Sequence, residues 1–264
     1  MRKNVLKLLL FACIAASFTA SIASARENPF IGKWNLNSSL SRMPDEMKVE
    51  SKGPNTYSFD FGGGVGESIV TDGTDQPGRG GTTLSVKADA PDTWIVERKK
   101  DGRLLLRATW KLSNDGSTLT DYYRQFESDG STTSMDYVYQ RSGGGSGFAA
   151  DWQSIKETMN SPFVLEVKQY EGDGLAFITP MEHKTRNARL DGKDYPIEGS
   201  ARSVSIRQID EHTLEMTEKR SGKVQSGQVI DTREIKLSPD GKRLTMIVSA
   251  PGQDKPNVMV FDRE

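Results

Sequence analysis

Leu104, Leu106, Ala108, Trp110 and Leu112 fall on one face of an extended segment, while Arg107, Thr109 and Lys111 fall on the other. This period-two alternation predicts a half-buried β-strand. Leu84 with Val86, Trp94 with Val96, and Tyr57 with Phe59 and Phe61 repeat the pattern. Between such segments Asp-Gly recurs at Asp72-Gly73, Asp101-Gly102, Asp115-Gly116, Asp129-Gly130, Asp173-Gly174, Asp191-Gly192 and Asp240-Gly241. Glycine supplies the positive backbone dihedrals of tight hairpin turns, so these pairs predict hairpins. Helical periodicity is confined to residues 151–160, where Asp151 offers a cap and Trp152, Ile155 and Met159 follow helical spacing. At most one short helix is expected there.

The pattern occurs twice. Phe30-Ile31-Gly32-Lys33-Trp34 returns as Phe148-Ala149-Ala150-Asp151-Trp152, and Val138-Tyr139-Gln140-Arg141 returns as Val260-Phe261-Asp262-Arg263. Between these ends Leu84-Ser85-Val86 matches Val204-Ser205-Ile206, and Thr93 to Val96 matches Thr213 to Met216. Asp101-Gly102-Arg103 matches Ser221-Gly222-Lys223, and Lys111 to Gly116 matches Lys236 to Gly241. A repeat of this length is a domain rather than a solenoid unit. The run Ser142-Gly143-Gly144-Gly145-Ser146-Gly147 has few side chains to pack and reads as the linker. The expected layout is residues 26–141 as a first domain, 142–147 as linker and 148–264 as a second domain.

Seven to nine strands per copy, joined by short hairpins, leave unpaired edges unless the sheet closes. The sequence therefore predicts an all-β chain of two tandem antiparallel up-and-down β-barrels. Gly32-Lys33-Trp34 resembles the Gly-x-Trp signature on the first strand of lipocalins, in which a late Arg packs on that Trp. The resemblance implies that Arg141 covers Trp34 in the first copy and that Arg263 covers Trp152 in the second, where Ala150 stands in place of the glycine. Trp34-Asn35-Leu36-Asn37, the following Ser41, and the block from Ser238 to Thr245 resemble secreted bacterial lipocalin-like proteins, which places this chain with lipocalin-like barrels.

Arg2, Lys3 and Lys7 precede an apolar run from Leu8 to Ala16, and Ala23-Ser24-Ala25 has the form of a cleavage site. Residues 1–25 therefore read as a secretory signal, giving a secreted or periplasmic protein with no transmembrane segment in the mature chain. Cys13 is the only cysteine, and it falls inside that signal, which leaves disulfides, thiolate metal sites and a cysteine nucleophile out of the mature protein. Loss of the three signal cations takes the net charge from −1 to −4, with both signs interspersed. Nucleic acid needs clustered Lys and Arg and is not an expected partner.

Candidate chemistry is sparse, and no catalytic residue, metal site or cofactor is assigned. His183 and His212 lack partners at ligand spacing, and His212 reads as part of a hairpin turn. Asp72 with Asp75, and Asp191 with Asp194, read as turn formers rather than calcium ligands. Gly62-Gly63-Gly64-Val65-Gly66-Glu67-Ser68 leads into a strand rather than the helix of a phosphate loop. One asymmetry stands out: Asp231 and Arg233 occupy the positions that Leu106 and Ala108 hold in the first copy, and Glu218 stands opposite Arg98. Glu218, Asp231 and Arg233 are the candidate ligand-binding residues, unless a register slip turns them to solvent. Trp94, Trp110, Tyr137, Tyr139 and Phe59 are expected to fill the first barrel, leaving the second as the hollow one.

Three readings remain open from the residues. The first is a binding protein for a small apolar or amphipathic ligand held in a barrel. The second is a protein-interaction or inhibitor module with solid barrels and functional loops. The third is an enzyme using two carboxylates at a barrel mouth, for which Glu218 and Asp231 are the pair to name.

Overall fold

The computed structural model describes residues 28–264 except 62–65, 128 and 223–225. The signal reading of residues 1–25, Cys13 included, falls outside the described residues, as do Gly62–Val65 and Lys223. The fold is all-β, with two nearly closed ten-stranded antiparallel barrels. No described helix is long and apolar enough to cross a membrane.

The chain starts with β1 (Gly32–Leu36) and then enters β2 (Glu46–Gly53), β3 (Thr56–Asp60), β4 (Glu67–Val70) and β5 (Gln76–Pro77). It continues through β6 (Thr83–Ala90), β7 (Thr93–Lys100), β8 (Arg103–Leu112), β9 (Thr118–Phe126), β10 (Thr132–Gly143) and β11 (Ala150–Met159). The second series is β12 (Val164–Tyr170), β13 (Gly174–Thr179), β14 (Lys184–Ala188), β15 (Tyr195–Pro196) and β16 (Arg202–Asp210). It ends with β17 (Thr213–Arg220), β18 (Val229–Leu237), β19 (Arg243–Ser249) and β20 (Asn257–Arg263).

The two barrels have exchanged their first strands. One sheet runs β4-β3-β2-β11-β10-β9-β8-β7-β6-β5, and the other runs β14-β13-β12-β1-β20-β19-β18-β17-β16-β15. β1 thus lies between β12 and β20 of the second barrel, with Trp34 opposite Leu165 and Arg263. β11 lies between β10 and β2 of the first, with Trp152 opposite Arg141 and Met47. Each barrel curls so that the chain after its fourth strand meets its sixth. Asp72 bridges Lys87 and Gly73 N–H donates to Val86 O in the first, while Asp191 bridges Arg207 and Gly192 N–H donates to Ile206 O in the second.

Three expectations change as a result. Residues 150–159 form a strand instead of a helix, because the sheet places Trp152 in the first core and pairs its neighbours on both sides. Residues 142–147 are not a linker between barrels but the end of β10 and the turn that leads from it to β11 in one sheet. Their glycines are there for backbone shape: Gly144, Gly145 and Gly147 have φ of 61°, 55° and 59°. A Cβ on Gly145 would sit 2.0 Å from the Ala149 carbonyl oxygen. The chain crosses between barrels instead through residues 37–45 and 160–163, and Ser38 Oγ in the first crossing donates to O of Met159, the residue just before the second.

The third change is the arginine pairing. Arg263 lies over Trp34, its Cζ 4.0 Å from the ring centroid, and Arg141 lies over Trp152 at 4.6 Å. Each guanidinium also donates to backbone carbonyls at the closed end of its barrel. Arg263 reaches Gly241, Ile31 and Pro29, while Arg141 reaches Gly116, Gly147 and Ala149. Both indoles donate to a carbonyl four residues earlier, Trp34 to Phe30 and Trp152 to Phe148, at 3.0 Å each. Gly32 is required by this closeness, since its φ is 151° and an added Cβ would stand 2.7 Å from an Arg263 nitrogen. Ala150, at the same place in the other barrel, accompanies the looser 4.6 Å contact.

Strand exchange has a direct test. Cleavage at a protease site placed in residues 142–147 is expected to leave two fragments that co-elute in size-exclusion chromatography, because each fragment holds a strand of the other's sheet. Fragments that separate without denaturant would show that each copy keeps its own first strand. Gly32→Ala is expected to lower stability by about 1–3 kcal/mol, read from denaturant midpoints, through overpacking against Arg263.

Candidate functional site

Each barrel has an interior cavity, and the larger lies in the first. It encloses about 290 Å³ and is bounded by Met47, Phe61, Leu84, Val96, Leu106 and Ala108 on its apolar side. The rest of its wall is polar or aromatic: Asp45, Arg98, Trp110, Asp121, Tyr123, Tyr137 and Tyr139. The second cavity is smaller, about 170 Å³, with Phe177, Met216, Met246, Met259, Arg186 and Arg233 in its wall. The expectation that aromatic bulk fills the first barrel is therefore corrected. Phe59, Trp94, Trp110 and Phe148 stack together, with the Trp94 and Phe148 centroids 4.0 Å apart, and leave the space beyond them open.

Strand alternation builds this wall. Asp121 on β9 pairs across the sheet with Trp110 on β8 and Tyr137 on β10, so all three side chains share the inner face. Asp45, just before β2, donates its N–H to Ser154 Oγ, accepts from the Ser154 N–H at its carbonyl, and accepts the Tyr139 hydroxyl hydrogen bond on its carboxylate at 2.6 Å. Nearby on β11, Ser154 donates to Glu157 at 2.6 Å. The one cation of the wall, Arg98, is engaged by Glu67 through two hydrogen bonds of 3.1 and 2.7 Å, and by Thr82 at 2.8 Å.

Two buried polar atoms in this wall have no hydrogen-bond partner, Asp121 Oδ1 and Trp110 Nε1. Asp121 is 7% exposed and Trp110 is 1% exposed. Burial pushes the Asp121 carboxyl up to about 7, against a weaker opposite pull from the Trp110 indole and a further push from the Asp45 and Asp136 charges. Burial also raises Asp45, with the Tyr139 hydroxyl opposing it. Tyr123 is raised to about 12 by burial and by the Asp121 charge, and burial raises Tyr137 and Tyr139 as well. The cavity thus holds neutral tyrosines and two carboxyls that resist ionisation.

Glu218, Asp231 and Arg233 do meet inside the second barrel. The β17–β18 bulge lies between Glu218 and Lys219, so the register holds at Asp231 and Arg233. Glu218 Oε2 accepts from Arg186 at 3.0 Å and from Arg233 at 3.3 Å, and Oε1 accepts from Arg202 at 2.7 Å. Arg233 in turn holds Asp231 through 2.8 and 3.1 Å bonds. Burial pushes Glu218 up, but hydrogen bonds from Arg202 and Arg186 and the Arg186 and Arg233 charges outweigh it, leaving the carboxyl below its usual range. A carboxylate so engaged is a poor proton donor. Glu218 with Asp231 is an ion-pair network rather than an acid–base pair, and only Arg233 of the three borders the second cavity.

The same network exists in the first barrel with its signs reversed. Glu67 pairs with Phe59 across β3 and β4 as Arg186 pairs with Phe177 across β13 and β14. Arg98 lies opposite Leu84 as Glu218 lies opposite Val204. Glu67–Arg98 in one barrel is therefore Arg186–Glu218 in the other. Sequence comparison reached Arg98 and Glu218 but not their partners, which sit on strands with little sequence likeness. It also missed Asp45 and Asp121, an acid in a crossing segment and one in a Thr-Leu-Thr-Asp strand. The only signal for Asp121 was its place on the inward side of the β9 alternation, with Leu119.

The turn reading fits Asp72, Asp191 and the His212 turn, but not Asp75 and Asp194, whose carboxylates pair with lysines. Asp72 accepts from Thr74 N–H and hydroxyl, Asp191 from Lys193 N–H, and Asp210 from His212 N–H. Asp75 and Asp194 bind Lys99 and Lys219 respectively.

Asp121 makes stability fall as pH rises. Between about pH 4 and 7 the folded state keeps a proton that the unfolded chain, at 3.8, has released. Denaturant unfolding is expected to show wild type losing up to about 4 kcal/mol across that window from this group, while Asp121→Asn lacks this component. Glu218→Gln is expected to cost about 3–5 kcal/mol, because it leaves buried arginine charge without its carboxylate. No family model, curated protein or solved structure matches the chain, so its function is argued from the geometry of these two interiors.

Proposed function

We propose that this is an exported, lipocalin-like binding protein whose first barrel encloses a small amphipathic molecule. The observation that supports this reading is the first cavity itself: about 290 Å³, walled by aromatic and aliphatic side chains, with two buried polar atoms that lack partners. That size is at the low end of small-molecule sites, which combine an apolar wall with a few placed polar groups. Buried polar atoms without partners are uncommon in native proteins, and a ligand that supplies the missing bonds removes the penalty.

The test is native mass spectrometry of the mature protein purified from its own host, beside an Ala108→Phe variant that fills the cavity. A non-covalent adduct on wild type, absent from Ala108→Phe, is the expected result. Asp231→Asn and Arg233→Lys are expected to keep the adduct, since both lie in the other barrel. No adduct on any of them would move the function to a protein partner with the barrels as scaffold.

A further inference from the structure

The first cavity offers acceptors and no available cation. Arg98 is neutralised by its two hydrogen bonds to Glu67, and the hydroxyl of Tyr139 is already given to Asp45. What remains in the wall is Asp121 with a bare Oδ1, the carboxylate of Asp45, the unpartnered Trp110 indole N–H, and the rings of Phe61, Trp110, Tyr123 and Tyr137. A carboxylate pair beside electron-rich rings is complementary to one kind of group, a compact cation that donates hydrogen bonds.

We infer that the first cavity takes a small amphipathic molecule carrying a single protonated amine, its ammonium held by the Asp121 and Asp45 carboxylates and its body against Phe61, Trp110 and Tyr137. This rests on the ligand-binding reading of the same cavity. An anion would meet two carboxylates, and a neutral molecule would leave their mutual repulsion in place. An ammonium satisfies Oδ1 and offsets both charges. The aromatic wall adds cation–π attraction.

Binding of such a cation needs Asp121 ionised. The groups that face or flank Asp121 are Trp110 from β8, Tyr137, Asp136 and the diagonal Tyr139 from β10, Tyr123 and Arg124 on its own strand, and Asp45, which holds the Tyr139 hydroxyl. Glu157 on β11 and the Arg98–Glu67 pair complete the charged surroundings. Of these, the carboxylates favour the protonated form of Asp121 and Arg124 favours the ionised one. Affinity for an amine therefore falls as pH drops below about 7, by up to about tenfold per unit.

The experiment is an NMR titration of the indole N–H signals of the mature protein with 2-phenylethylamine and with its neutral counterpart 2-phenylethanol, at about pH 8 and about pH 5. The expected result is binding of both at the higher pH, the amine about tenfold or more the tighter. That preference disappears at the lower pH and in Asp121→Asn, whose retained alcohol binding shows an intact cavity. Equal affinities at the higher pH, or a preference that survives in both Asp121→Asn and Asp45→Asn, overturn the amine inference and leave the ligand-binding reading standing. Failure of both probes to shift any indole signal overturns both.

Discussion

Everything in this molecule depends on how an antiparallel barrel obtains its first strand. A short N-terminal strand with Trp at its centre must lie between two neighbours and beneath a late Arg. Here the strand comes from the other copy: β1 completes the second barrel and β11 completes the first. Each exchange carries a buried Trp, a ring-stacked guanidinium and that guanidinium's bonds to backbone carbonyls. The second core is incomplete without β1, and the first without β11. Trp34 belongs to the apolar cluster of the second barrel, and Phe148 with Trp152 to that of the first. Two domains that a sequence repeat presents as beads on a string are thereby one interlocked body.

The interiors show how far duplicated barrels can diverge without changing their frame. An ion pair between the fourth and seventh strands is kept in both, with acid and base traded between positions. The electrostatic term survives because the geometry of the pair is preserved, whichever side bears the negative charge. Around it the second barrel adds Arg202, Arg233 and Asp231, where the first has Thr82, Ala108 and Leu106. The added side chains occupy volume, and the second cavity is the smaller one. The first barrel leaves that space empty and carries its polar groups beside it, on Asp45, Asp121 and three tyrosines.

The strands were legible because their signal is local. Alternation in Leu104 to Leu112 and the Asp-Gly turns reflect each segment's own two faces and its own backbone, and the observed strands follow them closely. Residues 150–159 misread as a helix because three apolar side chains at helical spacing outweighed the pairing that β10 and β2 impose from outside. Which Trp lies under which Arg was beyond sequence reasoning for a different reason. Both copies carry the same motif, so the crossed and uncrossed pairings satisfy the same local pattern, and only the routes of residues 37–45 and 160–163 decide between them. The site followed the same division: Glu218, Asp231 and Arg233 were found by comparing copies, whereas Asp121 acquires its character from a cavity that no single strand encodes.

The exchange also sets an order of events during synthesis. The first barrel is contiguous from Glu46 to Met159, so it can close as soon as that stretch is free to fold. The second cannot. Its strand β1 is made before any of its partners, and Arg263, which lies over Trp34, comes 229 residues after it. Gly32–Leu36 must therefore wait, unpaired and with its Trp unburied, while a whole barrel folds behind it. Contacts of such sequence separation form late, and the waiting strand is an exposed edge through most of the chain's synthesis. The Trp34–Arg263 contact that ties β1 to β20 in the finished barrel is thus the part of it most open to mispairing until β20 is made.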